Sequence, residues 1–123
     1  FNRSIQKDNK PTAFFATNDK IAVSFIRNAI KDGIAIPDDL SVVGVDNEIG
    51  AYFSCGINIT SVNPNRPEIG KRAAKWLLEI LANGEEHSNL NESKIIRVEP
   101  ELVKRESTKS ILSEKPELIF AVP

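Results

Sequence analysis

Asp46 and Asn47 end a nearly continuous apolar run in SVVGVDN, residues 41–47. A carboxylate accepts hydrogen bonds and a side-chain amide both donates and accepts, so the two together suit a small molecule rich in hydroxyls. Asn18 in ATND and Asn63 in INITSVN stand at the ends of two other apolar runs. The candidate ligand-binding residues are therefore Asp46, Asn18, Asn63 and Asn47. The same residue types also begin ordinary turns, and residue type alone leaves both readings open.

Other chemistries find less support. Cys55 and His87 are the single cysteine and the single histidine, so no disulfide and no zinc set can be built from them. His87 falls in the polar stretch EEHSNLNES, where it reads as a solvated loop residue, and Cys55 reads as a small packing residue. Neither G-x-G-x-x-G nor G-x-x-x-x-G-K-[ST] occurs, which argues against nucleotide binding. The paired acids Asp38-Asp39 and Glu85-Glu86 lie in turn contexts and have little claim to acid–base work. An α/β enzyme using Asp46 as acid or base would lack a partner nucleophile, a metal set and a cofactor loop. The expectation is a non-enzyme with no metal and no cofactor.

Strands and helices must hold these residues in place. TAFFAT, residues 12–17, is short, apolar and β-prone, with Phe14 and Phe15 expected in the core on opposite faces. Ile21, Ala22, Phe25, Ile26, Ala29 and Ile30 then recur on one helical face, with Asn18 placed to cap it, Asp19 suited to its dipole and Gly33 to close it. Pro37-Asp38-Asp39 turns the chain into LSVVGVD, whose lack of alternation predicts burial on both faces, as in a parallel sheet. A segment around Tyr52 and Phe53 precedes a third strand, INITSVN. Asn65 and Glu68 resemble a capping box, and Ile69, Ala73, Trp76, Leu77, Ile80 and Leu81 predict a second amphipathic helix ending at Asn83-Gly84. Trp76 is expected to pack that helix on the sheet. KIIRVEP and ELVKRES read as short extended pieces.

Strands alternating with helices imply an α/β fold with a parallel sheet flanked by helices, in which ligands bind at the carboxyl ends of the strands. That edge would carry Asn18, Asp46 and Asn63 together. The 123 residues suffice for one domain, and a formal net charge of -1 gives no general attraction to nucleic acid or anionic membrane. No apolar stretch reaches the length of a membrane span, and the opening FNRSIQKDNK is no signal peptide, which fits a cytoplasmic protein. The chain opens on Phe1 and contains no methionine. It reads as a fragment of a longer product.

From Pro11 to Asn47 the sequence resembles the sensor domain of LacI/GalR-type bacterial regulators, which are similar to periplasmic sugar-binding proteins. The ordered pieces PTA, ATND, IPDDLSVVGVD, ITSV, IGKRAAKWLLEIL and PELVKRES carry the resemblance over residues 11–107. It implies one lobe, the C-terminal one, of a two-lobed clamshell that closes on a small effector, expected to be a pentose or other monosaccharide. Asn18 and Asp46 match effector-contacting positions. Asn47 and TSVNPN depart from the commoner family pattern. VDNE, SVNPN and the tail VKRESTKSILSEKPELIFAV look more like xylose-type regulators, where an AraC-type DNA-binding module follows. Residues 1–107 would then be the effector-binding lobe and 108–123 a tail toward a module absent from this chain. The resemblance also implies a homodimer, with Val23, Arg27, Tyr52 and Phe53 as candidate contacts. A solute-binding protein of a sugar transport system is the alternative with the same fold.

Overall fold

The computed structural model describes residues 11–83 and 95–110. Along the chain these form β1 (Ala13–Phe15), α1 (Asp19–Lys31), β2 (Ser41–Val45), α2 (Ala51–Cys55), β3 (Thr60–Asn63), α3 (Arg66–Asn83) and β4 (Glu101–Val103). The strands make one sheet in the order β1-β2-β3-β4. β1, β2 and β3 are parallel, as expected, whereas β4 joins β3 antiparallel. The sheet is thus mixed, because the chain returns alongside β3 after α3 instead of crossing over it.

α1 shows how closely local sequence dictates local structure. Asn18 has extended backbone, and its Oδ1 accepts the Ile21 N–H at 2.9 Å, satisfying one orphan donor of the first turn. At the far end Gly33 takes φ 77°, its N–H bonds the Ile30 carbonyl, and the Ile34 N–H bonds that of Ala29. This pair of bonds is the Schellman closure that favours glycine. Ala22, Ile26 and Ala29 are buried, and Phe25 stacks on Phe14 with ring centroids 3.7 Å apart.

The core joins Ala16, Ala22, Ile26, Leu40, Val42, Ala51 and Ile59, with Cys55 packed against it. α1 packs on β2 and against α2, so the helical cover lies on one side. Two expectations are corrected by this. Phe15 is 62% exposed, because no helix among the described residues covers its side of β1. For the same reason Ser41, Val43 and Val45 of β2 are only half-buried, alternating with buried Val42 and Gly44.

α3 forms where the apolar spacing predicted, but it does not pack on the sheet. Apart from half-buried Glu68 and Ile80, residues 66–82 are exposed. Trp76 instead lines a cleft of about 330 Å³ with Ile69, Arg72, Ala73, Ile96 and Val98. The expected capping box is also absent. Asn65 has φ 56°, and the Glu68 carboxylate goes to Arg72 Nε at 2.7 Å, a bond that holds the Glu68 carboxyl below its ordinary value. Residues 95–100, expected to be extended, form no strand.

The return segment after β4 locks the sheet. Ser107 is wholly buried: its Oγ donates to the Val42 carbonyl at 2.6 Å and accepts the Thr60 N–H at 2.8 Å. Its backbone accepts from Val42 N and donates to the Asn58 carbonyl. Replacing Ser107 by alanine strands a buried donor and a buried acceptor, which should cost roughly 2–4 kcal/mol. A fall in the urea midpoint at unchanged slope is the expected result. The packed body also extends past residue 107, since Thr108 Oγ1 bonds Thr60 Oγ1 and Lys109 pairs with Asp38 at 3.0 Å.

Candidate functional site

Strand register decides whether the candidate residues meet. Phe15 pairs with Val43, and Val43 pairs with Thr60. Carried three residues further, the same offsets place Asn18, Asp46 and Asn63 in one row across the carboxyl ends of β1, β2 and β3. Asp46 is the middle member, and its N–H donates to the Val62 carbonyl at 2.9 Å, continuing the pairing beyond β2. At ~4.8 Å per strand the row spans roughly 10 Å.

The polar atoms left over define what this row can bind. Asn18 Oδ1 is spent on the Ile21 N–H, and Asn63 Oδ1 on the Asn65 N–H at 3.0 Å. Asp46 Oδ1 pairs with Arg66 Nη2 at 2.7 Å. No described residue bonds Asp46 Oδ2 or the Nδ2 groups of Asn18 and Asn63. The row therefore offers amide donors on either side of a carboxylate acceptor, the complement of a ligand that both donates and accepts.

Asn47 belongs elsewhere. Its N–H donates to Ser61 Oγ at 3.0 Å and its Oδ1 accepts from Arg105 Nη2. Arg105 also donates from Nη1 to the Ile59 carbonyl at 2.6 Å and from its backbone N to Thr60 Oγ1 at 2.8 Å. Asn47 thus braces the strand-end loop against the return segment, with its acceptor already committed.

Beneath the row lies a residue that the sequence offered only as a helix-dipole partner. Asp19 is 1% exposed. Its Oδ1 accepts from Ser61 Oγ and its Oδ2 from the Glu48 N–H, both at 2.7 Å. One carboxylate thereby ties the start of α1 to β3 and to the loop after β2. Gly44 makes room for it, since a Cβ there would sit 2.1 Å from Asp19 Oδ1. Sequence reasoning missed Ser61, Arg66 and Arg105 as well. Asp19 alone carried a signal, its place directly after the capping residue.

The backbone is strained where the row is centred. Asp46 has φ 108° and Asn47 φ 52°. Asn tolerates the left-handed region, but 108° lies beyond it for a residue with a Cβ, at a cost of ~1–3 kcal/mol. A turn alone would be made more cheaply by glycine.

Two concavities among the described residues are lined by residues other than the three of the row. One is the α3 cleft, and the other, of about 160 Å³, is lined by Asp19, Glu48, Ile49, Ala51, Tyr52, Asn58, Ile59 and Arg105. Asn58 donates from N and Nδ2 to Glu106 Oε2, bonds that hold the Glu106 carboxyl below its ordinary value and fasten the return segment beside this second cavity.

Of the candidate dimer contacts, Val23 packs against the protein's own core, whereas Arg27, Tyr52 and Phe53 are exposed, Phe53 to 86%. Cys55 Sγ donates to the Ala51 and Ile57 carbonyls, and His87 lies outside the described residues. Among the described residues, no group of three His, Cys, Asp or Glu is placed to hold a metal, and no helix is long and apolar enough to cross a membrane.

Comparisons with known proteins bear on this edge. The model of the periplasmic binding protein-like domain matches residues 2–108. The HTH-type transcriptional repressor PurR of Vibrio cholerae is 36% identical over 108 residues, 87% of this chain and 30% of that protein. Among solved structures, the periplasmic binding ribose operon repressor protein from Lactobacillus acidophilus superposes with a TM-score of 0.70 at 29% identity, over 89% of this chain and 37% of that one. A LacI family transcriptional regulator from Lactobacillus casei with bound glucose gives 0.64 at 25% identity, over 80% and 33%. The chain spans less than a third of the curated relative's length.

Proposed function

Because this chain belongs to the periplasmic binding protein-like domain family, we propose that it is the effector-sensing part of a bacterial transcriptional regulator, with Asp46 at the centre of its ligand contacts. The observation that carries this reading is the in-register row of Asn18, Asp46 and Asn63, with unspent donors and acceptor, centred on a strained carboxylate. The effector is a monosaccharide, a class supported by the donor–acceptor balance of the row and by the glucose-bound relative. The row forms half of a cleft, and the remainder of the parent supplies the other half. Binding favours the closed form, and the changed geometry repositions DNA-binding modules in the cytoplasm by population shift, with no covalent step.

The finer assignment is to the xylose-type regulators, in which an AraC-type module follows the tail. It rests on VDNE, SVNPN and the residues after Arg105. Homodimer formation through α1 and α2 is supported by the exposure of Arg27, Tyr52 and Phe53. The parent gene separates these readings from transport: a secretory signal would favour a solute-binding protein, and a DNA-binding module at either end would exclude it.

The direct test is thermal unfolding of the full-length parent against pentoses and hexoses. At a hundredfold excess over Kd, binding should add ~2.7 kcal/mol, a shift of several degrees. Asp46→Ala should abolish that shift. Asp46→Gly separates ligand contact from turn formation. It relieves φ 108° at the cost of a partly exposed ion pair worth ~0.5 kcal/mol, so the unliganded protein should be as stable as wild type or more so. Loss of the sugar shift in this stable variant supports ligand contact. A retained shift returns Asp46 to the role of a turn residue.

A further inference from the structure

Arg66 is the first residue of α3, and its Nη2 lies 2.7 Å from Asp46 Oδ1. The pair is not sealed off: the side chains are 62% and 31% exposed. On the carboxylate, Oδ2 has no described partner, and on the guanidinium the same holds for Nη1 and Nε. A fixed planar fork of donors therefore stands beside an open acceptor, at the centre of the row that also holds Asn18 and Asn63. Two adjacent hydroxyls of a polyol need this combination, one giving its proton to a carboxylate oxygen and its neighbour accepting from an N–H. Charge assistance makes both bonds stronger than those from neutral amides.

We propose that Arg66 is a further effector-contacting residue, acting with Asp46 to grip a vicinal diol, so that the site selects neutral polyhydroxylated ligands carrying such a pair. The inference rests on the sensor reading above and adds to it a specificity-determining residue from α3. The ion pair also orients both groups before the ligand arrives, which lowers the ordering cost of binding. Nothing in the local sequence NPNRP marks this residue, because Arg66 reaches the row only through the turn at Asn65, where φ is 56°. Lysine is a poor substitute, since a point charge can hold Asp46 but does not keep a second donor in fixed geometry.

The test is calorimetric titration of the full-length parent with D-xylose, D-ribose and D-glucose, repeated on Arg66→Gln, Arg66→Lys and Asp46→Asn. For the sugar that binds, Arg66→Gln should weaken affinity about 10- to 100-fold, the span expected for a lost charge-assisted bond. Its unliganded melting temperature should stay within about 2 °C of wild type, because an exposed ion pair contributes little to stability. Arg66→Lys should fall between the two. The deoxy sugar lacking one hydroxyl of the gripped pair should bind wild type weakly and lose little further in Arg66→Gln. If the wild type binds a sugar and Arg66→Gln binds it as well or better, the role of Arg66 is overturned while the sensor reading stands. If the wild type binds none of the three sugars, the monosaccharide reading fails, and the diol grip with it.

Discussion

Gly44→Ala should be among the most damaging single-methyl additions to this chain. The new Cβ would lie 2.1 Å from Asp19 Oδ1, 3.2 Å from Cγ and 3.4 Å from Cα. Asp19 has a short side chain held at both oxygens, so it can yield only by swinging away from Ser61 and Glu48. The cost combines overpacking with two broken charge-assisted bonds, about 3–5 kcal/mol, against a typical domain stability of ~5–15 kcal/mol. Chemical denaturation should show the midpoint falling by about a fifth or more. The diagnostic measurement is the double variant with Asp19→Ala, where the clash disappears and the two losses should be far from additive. Additive losses would mean that Gly44 serves the strand for some other reason.

Asp19→Ala carries the second large effect. It leaves the Ser61 hydroxyl without its acceptor in a buried setting and the Glu48 N–H without its acceptor in a partly buried one. Removing the carboxylate also removes its own desolvation cost, so the net loss should be about 3 kcal/mol, not the full sum of two charged bonds. Asp19→Asn has nearly the same shape and keeps one acceptor for Glu48, with Ser61 free to rotate and receive a proton from the amide. It should cost roughly half as much. If sugar binding weakens in Asp19→Asn while the fold persists, the buried carboxylate also sets the position of the strand-end loop.

These residues show what the sequence could and could not disclose. The cap at Asn18, the stop at Gly33 and the three parallel strands were legible because each depends on neighbours within a few residues. The parallel pairing that would align Asn18, Asp46 and Asn63 was legible too, because the apolar runs they end needed only to lie side by side. Asp19 was not, since an acid in the first turn looks the same whether it faces water or is buried against a strand 42 positions away. Gly44 interrupts the apolar run SVVGVDN for a reason the run itself does not carry, a carboxylate from another element. The helical period of α3 was read correctly and its partner was not, because periodicity gives an apolar face without saying what meets it. The direction of β4 depended on the path of the return, which composition does not encode.

Ser107 closes the sheet from late in the chain, and that has a consequence for synthesis. Its hydroxyl bonds the carbonyl of Val42, 65 positions earlier. At translation speeds of ~5–20 residues per second, that interval lasts roughly 3–13 seconds. Through it the nascent chain holds β2, and once residue 63 is made β3 as well, without the group that satisfies Val42 and Thr60 between them. The strand-end row, complete in its own residues by Arg66, must therefore wait for a serine still inside the ribosome before the sheet beneath it is locked.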